Sequence, residues 1–129
     1  MKPETLLYRQ VHESWLQQGV PSSQTFRPTP KDFGKPSVYD GDVIGSAEAS
    51  YLHWTEELKL TSVGVLAVTE SECAGLKLPA VTDGIPFPAH ATIDFTGCKS
   101  SGEIKRQAGV LTQLACARGW QHQPGEATS

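Results

Sequence analysis

This sequence is short of most features that would name a chemistry at sight. It has three cysteines, Cys73, Cys98 and Cys116, an odd number with no CxxC spacing. That argues against a disulfide framework and against a cysteine-built zinc site. Its histidines, His12, His53, His90 and His122, are scattered without HxH or HExxH, and a metal site needs three or four convergent ligands, so no metal is expected. GxSxG, the Walker loop and GxGxxG are all missing, so no cofactor is expected and no motif fixes a reaction. No stretch approaches the ~20 apolar residues of a membrane span. The opening MKPETLLYRQ lacks the apolar run of a signal peptide. The expectation is a cytoplasmic protein with reduced thiols and no membrane contact. With a formal net charge of −3, it has no general attraction to nucleic acid or anionic lipid.

What is present describes an ordinary globular chain. At 129 residues it reads as one domain spanning 1–129, with an ordered core over about 5–120 and a polar tail at 121–129. A chain this long buries roughly two thirds of its unfolded surface and needs neither metal nor disulfide to fold.

Leu6 to Val11 alternates as a strand, and His12 to Gln18 reads equally as a helical turn or a loop. Thr25–Phe26 and Ser37–Tyr39 are candidate short strands, set apart by Pro28, Pro30, Gly34 and Pro36. Ser46 caps a helix to Leu58 whose stripe is Ala47, Tyr51, Trp54 and Leu58. Ser62 to Thr69 is a valine-rich run that reads as a central strand, buried on both faces and covered by the helices. Residues 70–76 suit a short helical turn, and Leu78 to Pro88 reads as a loop. Ala89 to Phe95 is a strand with His90, Thr92 and Asp94 on one face. A last helix opens on the capping box Ser100 and Glu103, buries Ile104, Ala108, Leu111 and Ala115, and ends at Gly119 as an αL cap. The sum is an α+β domain, a mostly antiparallel sheet with two principal helices packed on it.

Chemistry is densest between Tyr8 and Asp42. Arg9 suits an anion clamp and His12 an acid/base group three residues on. His90 and Asp94 share a strand face but stand ~13 Å apart, so an intermediary would have to couple them. Asp40-Gly41-Asp42 reads as a tight turn, since the rest of a calcium loop is absent.

The segments YRQVHESW, SSQTFRPTPKD, SVYDGD, SVGVLAVT and AHATIDF resemble a family of small bacterial proteins known as hypothetical, over residues 6–120, and that resemblance brings no activity. The opening YR strand is also similar to ADP-ribosyltransferase domains of the toxin class. That likeness implies an NAD site formed by Arg9, by Ser37 or Tyr39, and by an acid such as Glu48. The chain departs from it in having no GGRWN-like stretch.

Two functions follow as expectations. One is a non-catalytic binding module that uses the 8–42 surface to hold a protein partner or a small anionic ligand, with Trp15, Phe26 and Tyr39 as anchors. The other is a small enzyme acting on a nucleotide-like or phosphorylated substrate, with Arg9 as clamp and His12 or His90 as proton carrier. Arg9, His12, Arg27, Tyr39 and His90 are expected to border one surface. A concave pocket would favour a small ligand; a flat patch would favour a protein.

Overall fold

The computed structural model describes residues 1–124. The chain runs through β1 (Leu6–Gln10), a 3-10 turn (Glu13–Trp15) and a two-stranded ribbon, β2 (Leu16–Gln17) and β3 (Val20–Pro21). Next come β4 (Ser37–Asp40), the one-turn α1 (Gly41–Ile44), and α2 (Ala47–Leu52), which continues as a π-helical turn over His53–Glu57. β5 (Val65–Thr69), α3 (Glu70–Gly75), β6 (Ala80–Thr82), β7 (His90–Ile93) and the long α4 (Ser101–Arg118) complete it. Five strands form one antiparallel sheet in the order β5-β1-β4-β7-β6. The domain is α+β, as the alternation of patterns predicts.

Alternation along the strands sends side chains to two separate cores. On one face Leu7, Val38, Leu66, Val68, Ala91 and Ile93 meet Ala108, Leu111 and Ala115 of α4. On the other, Tyr8, Tyr39, Val65 and Ala67 meet Ala47, Tyr51 and Trp54. Each helix starts where its cap says it should. Ser46 Oγ accepts from Ala49 N–H at 3.0 Å, and Ser100 Oγ from Glu103 N–H at 3.1 Å.

Five local readings need correction. The run from Ser62 to Thr69 supplies β5, which is buried on both faces, with Val65, Leu66, Ala67 and Val68 at 0–1% exposure. Yet β5 is an edge strand and not the central one; β4 lies in the middle. Its outer side is closed by the end of the chain. Val65 N–H donates to the His122 carbonyl and Gln121 N–H to the Val65 carbonyl, each at 2.8 Å, while Arg118 Nη1 donates to the Ala67 carbonyl at 2.9 Å. Occupied backbone groups leave little for a foreign strand to pair with. Gln121 and His122 therefore belong to the ordered body; residues 125–129 of the expected tail lie outside the described residues.

Thr25–Phe26 is not a strand. Ser22 caps a 3-10 turn over Ser23–Thr25, because a serine hydroxyl offers the local backbone a partner that a sheet ladder would otherwise supply. The 78–88 loop contains β6, the other edge of the sheet. Gly119 has the positive φ of a helix terminator, 94°, but its ψ of 167° makes it an extended exit instead of an αL cap. One glycine is demanded by close approach: a Cβ on Gly41 would lie 2.5 Å from the Leu6 carbonyl oxygen. The neighbouring acids are consumed internally. Asp40 accepts from Asp42 N–H at 2.9 Å and from Thr82 Oγ1 at 2.5 Å, and Asp42 accepts from Thr5 Oγ1 at 2.6 Å.

Candidate functional site

The second core does not fill its face of the sheet. Where β1 ends and β4 begins, a cavity of about 620 Å³ opens beside the π-helical turn and the 86–87 corner. This is the size range of small-molecule sites. Of the five residues expected to share a surface, Arg9, His12, Tyr39 and His90 border this concave cavity together with Trp15, and Arg27 does not.

Its walls are largely aromatic. Tyr39 stacks on Phe87 with ring centroids 5.2 Å apart and meets Trp54 edge-on at 6.5 Å. Tyr39 Oη shares a hydrogen bond of 2.8 Å with His53 Nδ1. Burial pushes the Tyr39 phenol above its ordinary pKa, which keeps it neutral.

Arg9 supplies the buried positive charge, with Lys31 and Asp32 also on the cavity wall. It is 7% exposed; Nε donates to the Thr25 carbonyl at 2.7 Å and Nη1 to the Ser37 carbonyl at 2.6 Å. The guanidinium also lies over the Trp15 ring, 4.9 Å from its centroid, a cation–π contact. A guanidinium carries five N–H donors, so three remain unused by protein acceptors among the described residues. Nor does Arg9 form an ion pair there. Burial lowers its pKa to about 10, with the charge of Asp32 working in the opposite direction. Arg9 stays cationic at neutral pH and is held by carbonyls without a counter-charge in contact.

Beside it Gln10 is 5% exposed. Ser50 Oγ donates its proton to the Ala47 carbonyl at 2.7 Å, so toward Gln10 it can only accept. That fixes Gln10 Nε2 as the donor, at 3.0 Å, and leaves Gln10 Oε1 buried with no partner among the described residues. An orphaned buried acceptor costs about 1–3 kcal/mol.

His90 does not couple to Asp94, whose carboxylate accepts from Thr96 N–H and Oγ1. Instead its Nδ1 lies 2.5 Å from Asp83 Oδ1 and its Nε2 3.0 Å from Ser37 Oγ. A carboxylate only accepts, so Nδ1 carries the proton and the Nε2 lone pair faces the serine hydroxyl. Partial desolvation works against the Asp83 anion, but hydrogen bonds from His90 and Ile85 N–H hold its carboxyl below the usual value. Sequence spacing could not pair Asp83 with Ser37. The β6–β7 pairing, Thr82 opposite Ala91, is what brings the 83–90 turn back onto β4.

Other expected site residues fall elsewhere. Phe26 is fully buried in the α4 core and is not a binding anchor. Arg27 donates to Ser23 Oγ at 2.7 Å and lines a separate shallow groove beside Ser101 and Ile104. Glu48, implied by the ADP-ribosyltransferase likeness, is exposed on α2 and does not line the cavity. His12 is an exposed rim residue whose Nδ1 accepts from Ser14 N–H at 3.0 Å, which caps the turn that carries Trp15. Among the described residues no three His, Cys, Asp or Glu side chains converge as metal ligands.

No family model matches the chain, and neither the curated proteins nor the solved structures contain a match.

Proposed function

We propose that the domain binds a small anionic molecule with a flat apolar body in the Arg9 cavity. The observation that carries the reading is Arg9 itself: a nearly buried cation, unpaired among the described residues, on the wall of an aromatic cavity. Burying a charge is costly unless it is paired, and a ligand carboxylate or phosphate would supply both the counter-charge and acceptors for the free N–H groups. Phe87, Trp54 and Trp15, half-buried on the cavity wall and backed by buried Tyr39, supply surfaces for a planar ring. The concave shape favours this reading over docking of a protein on a flat patch, and burial of Phe26 and Tyr39, at 0% and 2% exposure, removes two of the three anchors a protein partner would use.

A matched pair of probes tests it, with Trp15 and Trp54 as fluorescent reporters in the wall. 2-Naphthoate is expected to bind at least tenfold more tightly than the isosteric 2-naphthamide, a gap of about 1.4 kcal/mol. Arg9→Met should erase the difference. Equal affinity of the two probes for the wild-type protein would overturn the reading.

A further inference from the structure

The chain of contacts through His90 does more than line the cavity. Ser37 is anchored on the central strand, opposite Thr92 of β7, and its hydroxyl lies 3.0 Å from His90 Nε2. The other ring nitrogen is held at 2.5 Å by Asp83. A nucleophile within hydrogen-bond reach of a base, with that base oriented by a third group, is the geometry that activates serine for attack. Ser37 and His90 both border the cavity, so the hydroxyl lies where a bound molecule would be presented. His90 is further fixed by Phe87, whose ring meets it edge-on at 5.4 Å. Arg9 Nη1 donates to the backbone carbonyl of Ser37 at 2.6 Å, which places positive charge beside the Ser37 backbone.

We propose that Ser37, His90 and Asp83 form a nucleophilic triad and that the domain hydrolyses a carboxylic ester carrying an anionic group. This rests on the cavity being the ligand site. Ser37 Oγ bonds to the ester carbonyl carbon as its proton passes to His90 Nε2. The charge that develops on the carbonyl oxygen is stabilised by the neighbouring guanidinium. The carbon–oxygen bond to the alcohol then breaks, and His90 returns the proton to the departing oxygen. Water adds to the acyl-serine, giving its proton to His90, and Ser37 leaves with that proton, so the products are a carboxylic acid and an alcohol. Asp83 touches no substrate in this scheme. It is a positioning residue that holds the His90 tautomer.

A fluorophosphonate probe tests the triad without requiring the natural substrate. One adduct per chain is expected, at Ser37 by peptide mapping, and none in Ser37→Ala. His90→Gln should slow labelling by about 100-fold or more, the low end of what a positioned base contributes. Asp83→Asn should slow it by tenfold or more while leaving the circular dichroism spectrum and melting temperature close to wild type, which separates orientation of the base from loss of fold. Among chromogenic esters, the Ser37-dependent acceleration over spontaneous hydrolysis should be greater for an anionic 4-nitrophenyl hemisuberate, whose carboxylate is too remote to attack its own ester, than for neutral 4-nitrophenyl octanoate. Absence of labelling in the folded wild-type protein, or labelling that survives Ser37→Ala, would overturn the triad. If naphthoate still binds in that case, the ligand site stands without catalysis; if Ser37 is labelled but naphthoate and naphthamide bind alike, the triad stands and the anion preference falls.

Discussion

Beneath α4 the sheet is sealed. Leu7, Leu66, Val68 and Ile93 meet Ala108, Leu111 and Ala115, all at 0–1% exposure, with Thr112 and Thr25 the buried polar residues beside them. On the opposite face α2 covers Tyr8, Val65 and Ala67, then stops short. The remainder of that face is left to Gln10, Ser37, Tyr39 and His90, while Arg9 and Trp15 reach the cavity from the α4 side, around the end of the sheet. One face stabilises by packing; the other keeps polar groups whose requirements are only partly met within the chain. Buried atoms without a partner occur on both sides among the described residues, Gln10 Oε1 toward α2 and Thr25 Oγ1 and Arg27 Nε toward α4, so what sets the second face apart is its cavity. The contrast teaches where to look for function: in the half of the molecule that would have been more stable if built otherwise.

The sharpest way to break the contrast is to place a charge on the sealed face. Leu66→Asp should abolish folding, read by loss of the thermal transition, because a lone carboxylate would be buried without a partner. The milder Leu66→Ala should cost about 2–5 kcal/mol in denaturant titration. On the open face Arg9→Met is expected to cost less, about 2–3 kcal/mol, from two lost charge-assisted bonds to carbonyls, while ligand discrimination disappears entirely. A loss of stability from Arg9→Met as large as that from Leu66→Asp would make Arg9 a purely structural group.

Tyr39→Phe comes next. It removes the 2.8 Å bond to His53 and should cost about 1 kcal/mol, with the ring stack on Phe87 intact. The Glu72–Arg118 pair at the β5 edge gives a smaller effect. Desolvation opposes the Glu72 anion, but hydrogen bonds from Arg118 and Thr69 hold its carboxyl below its ordinary 4.5. A depressed folded pKa contributes stability that is present above 4.5 and lost as pH falls through the lower folded value. Both partners are about a quarter exposed, so the contribution should stay under about 1 kcal/mol. Arg118→Met should remove that part of the acid-side slope. Cysteine labelling offers the least perturbing check. Burial pushes the Cys73 thiol up to about 12, so at pH 8 exposed Cys116 should be alkylated while Cys73 waits for unfolding.

Much of this was legible in the sequence. The alternation of Leu6–Val11 and Ala89–Phe95, the caps Ser46 and Ser100 and the α4 stripe are local signals, and the structure keeps them. β5 was readable as buried but not as an edge, because what covers it, Arg118, Gln121 and His122, lies some fifty residues further along the chain. Phe26 and Arg27 fell among polar and proline-rich neighbours, and no local rule says which side chains of such a segment turn inward. The cavity residues Arg9, His12, Trp15, Tyr39 and His90 stood out by type. Ser37 was visible only through a family likeness, and Asp83 was hidden in a segment read as a loop. Recognising β6 in Ala80–Thr82 would have placed Asp83 in a hairpin turn beside His90, which is the signal that went unread.

The most direct measurement of the central claim is a 2-naphthoate titration followed by two-dimensional 1H–15N NMR. With the open face as the ligand site, the Arg9 Nε–H, the Trp15 and Trp54 indole N–H groups and the His90 amide should shift together along one saturating curve, while amides of Ala108, Leu111 and Ala115 stay still. Shifts confined to Arg27, Ser101 and Lys105, or scattered without saturation, would contradict the account and leave the cavity without its ligand.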